Sequence, residues 1–207
     1  MVMFLDKKQK FAIILSPVLV LVMFGVYQGF ARICGRTLGW YAGFAVYWPV
    51  FCVLIPLILV GSNQFFKNYR IIKINPLYIA VFLFPAFMTL IGSFLMSTAE
   101  RDLIGLIVWI GMSFGNGIFE EILWRGVYPN LFPNNKLFGL VWPATWFSIW
   151  HFAPGSLSQN FQPFVLVLGA LMLGVFLGWG AFKTKSLFWA STGHTLSGLI
   201  QLIWNTI

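Results

Sequence analysis

The sequence predicts an all-α fold, a polytopic transmembrane helix bundle of about seven spans. Two observations predict it. Charged residues make up 9% of the 207-residue chain and hydrophobic residues 59%, whereas a soluble domain carries about 25% charged residues. The apolar residues also gather into segments near the ~20 residues that a helix needs to cross a bilayer. The length suits a single transmembrane domain, residues 1–207, with no room for a sizeable soluble one.

The first segment, 11–33, follows Lys7, Lys8 and Lys10. That charge layout resembles a signal peptide, but the apolar run is too long and no small-residue cleavage site follows, so a retained first span is expected. The second segment is 41–60. The longest loop, 61–76, mixes aromatic and basic residues in Phe65-Phe66-Lys67 and Tyr69-Arg70-Ile71-Ile72-Lys73, a composition suited to lying on the membrane interface. Segments 77–97 and 103–128 follow. The fifth, 137–152, is short and bounded by Pro133-Asn134-Asn135 and Ala153-Pro154-Gly155. It can cross only where the bilayer thins or where neighbouring helices cover it. Segments 161–181 and 186–205 complete the set. Residues 1–102 are expected to form accessory spans and 103–207 the core helices.

Basic residues set the orientation. With the N-terminus inside, Lys7, Lys8, Lys10, Lys67, Arg70, Lys73, Arg125, Lys136, Lys183 and Lys185 fall on the inner side, and Arg32, Arg36 and Arg101 on the outer. This bias predicts a multi-pass protein of the cell membrane with a cytoplasmic N-terminus. The net charge of +8 is therefore assigned to topology and to anionic lipid as partner. Charges scattered through short loops make no continuous groove for nucleic acid. Cys34 and Cys52 lack metal-ligand spacing and are read as packing residues.

Chemistry concentrates in the fourth segment. The chain has five acidic residues, and two of them, Glu120 and Glu121, are adjacent inside an apolar run. A charge at that depth costs about 2.5–3.5 kcal/mol on insertion scales, so it marks a candidate functional site. Glu121 and Arg125 are four apart with the acid first, the favourable order for an ion pair on a helix. Glu120 lies about 100° round the helix, with Asn116 one turn below on nearly the same face. It is left without a local cation and is the candidate general base. Both histidines of the chain, His151 and His194, also fall in membrane segments. Glu, His and His around a polar cavity suit hydrolysis: the carboxylate takes a proton from water, while the histidines bind a metal or orient the water and stabilise the oxyanion. Zinc is the candidate metal, on His151 and His194, and Glu121 would complete the set in competition with Arg125. Gly111-x-x-x-Gly115 and Gly174-x-x-x-Gly178 have the spacing that lets membrane helices approach. Trp142, Trp146 and Trp150 recur every four residues and are read as one packing or interfacial face.

Together these residues resemble the CPBP family of intramembrane proteases, also called Abi: the CAAX-processing and bacteriocin-processing or immunity proteins. Its first motif, Glu-Glu-x-x-x-Arg, is matched by Glu120-Glu121-Ile122-Leu123-Trp124-Arg125, and its second, Phe-x-x-x-His, by Phe147-Ser148-Ile149-Trp150-His151. Its third is a His with Asn or a similar polar residue four later; here His194-Thr195-Leu196-Ser197-Gly198 ends in Gly. The resemblance covers Glu120 to Gly198. It implies that Glu120 activates water, that Arg125 pairs with Glu121, and that His151 and His194 complete the site. The family Asn is thought to help hold the oxyanion, a duty that Ser197 or Gln201 would take over here. Asn116 and Phe147 are further expected supports of substrate or oxyanion. The family's mechanism is described both as metal-dependent and as glutamate-driven.

The resemblance implies an intramembrane endopeptidase acting on a membrane-associated, prenylated or leader peptide. Two other readings stand beside it. One is a catalytically impaired scaffold or bacteriocin-immunity protein of the same family, favoured by Gly198. The other is a proton-coupled transporter using Glu120 and the histidines as a relay, which would want paired repeats that the sequence lacks.

Overall fold

The computed structural model describes residues 5–95, 103–157 and 163–203. Each of the seven apolar segments carries a helix, and the described residues contain no strand. Helix α1 is Lys7–Cys34, α2 is Arg36–Val60, α3 is Ser62–Asn68, α4 is Pro76–Leu95 and α5 is Leu103–Leu131. Helix α6 covers 137–150 and is followed by one helical turn, Phe152–Gly155; α7 is Pro163–Thr184 and α8 is Leu187–Ile203. Four of these, α1, α2, α5 and α7, are long and apolar enough to cross a membrane by length and composition. The outermost residues of three expected segments (96–97, 161–162 and 204–205) and Arg101 lie outside the described residues.

Local chemistry sets the boundaries. Asp6 and Gln9 form a reciprocal capping box at the start of α1, with the Gln9 amide donating to the Asp6 carboxylate at 2.7 Å and the Asp6 amide donating to Gln9 Oε1 at 3.0 Å. Gly35 (φ 83°) separates α1 from α2, and Gly61 (φ 79°) separates α2 from α3. Both sit in the backbone region that glycine enters without steric cost. Wide, π-helical turns occupy 47–54, 116–120, 122–127 and 137–141. Three of these four end two residues before a proline: Pro56, Pro129 and Pro143. A proline ring collides with the carbonyl four residues earlier, and a widened turn moves that carbonyl aside.

The two ends of the bundle are chemically distinct. At one end Lys8 donates to the Leu59 carbonyl (2.8 Å), Gln9 to the Leu131 carbonyl (2.8 Å) and Lys185 to the Pro129 carbonyl (2.6 Å). These bonds gather the start of α1, the ends of α2 and α5 and the α7–α8 junction, and they satisfy carbonyls left over where helices stop. At the other end Gln28 and Arg36 donate to Ser156.

The core has two parts. The larger joins α1, α2, α5 and α6 through Tyr27, Tyr47, Trp124, Tyr128, Phe147 and Trp150, all fully buried. A smaller one joins α4, α7 and α8 through Phe82, Leu177 and Ala190. The C-terminal half of α5 lies between them and is buried almost all round from Glu120 to Pro129, as a central helix must be. Helix α8 comes against α5 at Gly117, where a Cβ would run into the Thr195 side chain and backbone. That close approach brings the residue next to Thr195, His194, within reach of α5. Of the two glycine pairs, Gly174 and Gly178 meet Ala144 and Leu140 of α6 and Gly115 meets Trp48, while Gly111 faces open space.

Replacing Gly117 with Leu should separate α5 from α8. The expected loss is about 1–3 kcal/mol, in the range of overpacking. It would be read as a lower thermal unfolding midpoint in detergent than for Gly111→Leu.

Candidate active site

Two carboxylates, one guanidinium and one imidazole meet where α5 and α8 touch. Glu120, Glu121, Arg125 and His194 are 1%, 0%, 3% and 7% exposed, so all four are cut off from bulk water. They hold one another instead. Arg125 Nη1 donates to Glu121 Oε1 at 2.9 Å, the i,i+4 pair expected from the sequence. The guanidinium also lies over the Phe147 ring, 4.1 Å from its centroid, a favourable seat for a cation on an aromatic face.

His194 joins the same carboxylate. Its Nδ1 is 2.8 Å from Glu121 Oε1, and an ionised carboxylate only accepts, so Nδ1 carries the proton. The opposite ring nitrogen, Nε2, stands 3.8 Å from Glu120 Oε2. Glu121 thus does more than neutralise Arg125: it orients the histidine that faces Glu120. This is the logic of a carboxylate fixing an imidazole's tautomer and direction.

Glu120 is not held from below. Asn116 turns away from it, its amide oxygen accepting from Trp48 Nε1 at 3.3 Å. In the wide turn over 116–120, residues four apart no longer stack one above the other as they do on an α-helix. The partner of Glu120 comes from α6, where Trp150 Nε1 donates to Glu120 Oε1 at 3.1 Å. The three tryptophans of α6 therefore do not share one duty. Trp142 and Trp146 are half-buried with ring centroids 5.7 Å apart, while Trp150 is fully buried and bonded to an acid. The sequence gives one hint of this, the position of Trp150 directly before His151.

His151 lies too far along α6 if depth is counted from Lys136 alone. Its ring folds back one turn, with Nδ1 2.7 Å from the Phe147 carbonyl oxygen. A carbonyl only accepts, so Nδ1–H is the donor and Nε2 is left for other work. Phe147 is the hub beneath both histidines: its ring is 4.7 Å from that of His151 and 6.0 Å from that of His194. It is fully buried and carries the Arg125 guanidinium on its face.

The expected stand-ins for the family Asn fare differently. The Ser197 hydroxyl donates to the Gly193 carbonyl of its own helix at 2.9 Å. The side chain of Gln201 lies outside the described residues. A Cβ at Gly198 would press on the Ser113 side chain, and the Gly198 carbonyl accepts from Trp109 Nε1 at 2.9 Å. Gly198 is a helix contact, and it offers no side-chain donor.

The zinc expectation can be set against these contacts. Among the described residues no group of three or more His, Cys, Asp or Glu side chains is arranged to hold a metal ion. Glu121 Oε1 serves Arg125 and His194 together, and His151 Nδ1 serves a backbone carbonyl. As placed, the residues do not fit a two-His, one-Glu zinc site. Three buried atoms of the cluster, Glu120 Oε2, Glu121 Oε2 and Arg125 Nη2, have no hydrogen-bond partner among the described residues.

An all-α membrane bundle with a buried carboxylate–histidine centre is the class that fold and site define. Residues 102–200 match the model of the family described as Rce1-like, Type II CAAX prenyl endopeptidase Rce1-like, and over this stretch the chain is similar to that family. The match runs across both carboxylates, Arg125 and both histidines. No curated protein and no solved structure matches the chain. That family is described as one of CAAX prenyl endopeptidases.

Arg125→Met would strand Glu121 in a buried site with half its partners gone. Breaking a buried pair in this way should destabilise by about 3–5 kcal/mol, measured by reversible denaturation in mixed micelles. Adding Glu121→Gln to Arg125→Met should recover part of the loss, because the uncompensated charge is then removed.

Proposed function

We propose that the chain is an intramembrane endopeptidase that cleaves a membrane-associated peptide, prenylated or leader-type, with a water molecule activated by Glu120. The observation that carries this reading is the arrangement of His194: Nδ1 bonded to Glu121 and Nε2 facing Glu120 Oε2 at 3.8 Å. Glu120 accepts a proton from water, the water oxygen attacks the scissile carbonyl carbon, and the proton passes on to the leaving amine nitrogen. His194 and His151, each with its proton on Nδ1, present Nε2 as an acceptor that orients the attacking water, and an Nε2 that gains a proton donates to the developing oxyanion. Arg125 and Glu121 act through His194. Residues 103–207 form the catalytic core of a single transmembrane domain and residues 1–102 the accessory spans. The end bearing Lys8 and Lys185 faces the cytoplasm of the cell membrane, in keeping with the positive-inside bias.

A second reading, a non-catalytic scaffold or immunity protein of the same family, is favoured by Gly198 alone, since its packing against Ser113 leaves no amide at the family Asn position.

Glu120→Gln and His194→Ala should each abolish cleavage of a fluorogenic membrane-anchored peptide while leaving the purified protein folded. A loss of roughly 10²–10⁴-fold is in the range for removing a general base. Undiminished cleavage by Glu120→Gln would sink the proposed base, and the absence of wild-type cleavage of any anchored peptide would favour the scaffold.

Chelation tests the metal. The contacts of Glu121 and His151 predict that cleavage survives prolonged treatment with a strong chelator. Loss of activity restored by zinc would instead assign His151 and His194 to the metal.

A further inference from the structure

We infer that Trp150 is a positioning residue for Glu120: its indole N–H holds Oε1 and so leaves Oε2, the oxygen facing His194, to take the proton from water. The inference rests on the endopeptidase reading and adds a division of labour between the two carboxylate oxygens.

The indole is the fixed partner of this pair. The Trp150 ring stacks on Tyr47 at 3.9 Å and 26°, and it touches Tyr27 at 5.9 Å and Phe44 at 6.3 Å. Tyr47 is held in turn by Trp124 Nε1, which donates to its hydroxyl at 2.9 Å. Trp124 is four residues after Glu120 on α5. The contacts therefore close a ring: Glu120 to Trp150, Trp150 to Tyr47, Tyr47 to Trp124, and back along the helix to Glu120. None of the aromatic contacts involves the carboxylate, so packing sets the indole's place and direction. The glutamate, with three rotatable bonds, aligns to it. A donor locked by its own surroundings is what preorganisation requires.

An indole N–H donates and never accepts. The indole hydrogen occupies one lone pair of Oε1 and lowers its basicity, which leaves Oε2, with no donor on it among the described residues, the more basic oxygen. The step then balances on Oε2. A water O–H bond breaks, an Oε2–H bond forms, and the water oxygen's electron pair goes to the carbonyl carbon. Glu120 Oε2 is buried, has no hydrogen-bond partner among the described residues, and lies 3.8 Å from His194 Nε2.

A purely structural account would have the indole merely seeking an acceptor. The same helix argues against that need, because Trp142 Nε1 is buried without a partner among the described residues and the fold accommodates it.

The test compares Trp150→Phe, which keeps a ring and removes the donor, with Phe44→Leu, which loosens the same aromatic packing and leaves the donor. Two readouts are taken on the full chain: kcat and KM on a membrane-anchored peptide, and the infrared carboxylate band of Glu120, assigned by its loss in Glu120→Gln. Trp150→Phe should lower kcat by roughly 10–100-fold, the worth of a hydrogen bond to a charged group, with KM held within about twofold. Its Glu120 band should move, and that of Phe44→Leu should not. Wild-type kcat in Trp150→Phe, or a lowered kcat with an unmoved band, would overturn the inference. Should Trp150→Phe fail to fold, β-(3-benzothienyl)alanine at position 150 replaces the N–H by sulfur at nearly unchanged shape and is read in the same two ways. If the wild type cleaves nothing, the endopeptidase reading fails by itself, and the band decides whether Trp150 holds the carboxylate.

Discussion

Everything at the centre of this molecule depends on one buried ion pair, Arg125 with Glu121. An unpaired charge in this position would cost several kcal/mol, and each partner lacks access to water. The pair reduces that cost without removing it. Glu121 recovers more by accepting His194 Nδ1 on the same oxygen, and Arg125 by resting on Phe147. Each of these extra contacts reaches a different helix. The ion pair on α5 thereby draws in α8 through the histidine and α6 through the phenylalanine. The energetic need of two charges becomes the reason that three helices meet where they do.

That arrangement separates the two acids by environment. Glu121 accepts from Arg125 and lies against His194 Nδ1. Glu120 receives one donor from Trp150 and faces an imidazole at a distance too long for a direct hydrogen bond. Two identical side chains in adjacent positions thus have different surroundings. The support for Glu120 also crosses the chain's midpoint: Tyr27, Phe44 and Tyr47 come from α1 and α2, and Trp150 from α6. The first helices, outside the family match, form part of the wall behind the site.

The charged half of the site was legible in the sequence because charge in an apolar run leaves few options. Glu121 with Arg125 followed from spacing, and the histidines stood out as two of two. The helices themselves followed from composition. What spacing could not supply was direction between helices. Asn116 was assigned to Glu120 on α-helical geometry, but a wide turn intervenes and Trp48 takes it. Trp150 looked like the third member of an apolar stripe, since nothing in a four-residue repeat says that one indole meets an acid on another helix. The Gly198 position was recognisable as a departure from the motif, yet its cause, the proximity of Ser113, belongs to tertiary packing.

The wide turns ahead of Pro56, Pro129 and Pro143 have a consequence for comparing this chain with others. A turn that closes one residue late rotates everything beyond it about the helix axis. The prolines lie outside the three motifs, but the turns associated with them fall within α2, α5 and α6, where Tyr47, Trp124, Arg125 and Trp150 sit in or beyond them. Two chains with the same motif letters and different proline positions would aim those letters at different neighbours. Transplanting Glu120 to Arg125 into an unbroken helix would carry over the residues and lose their bearings.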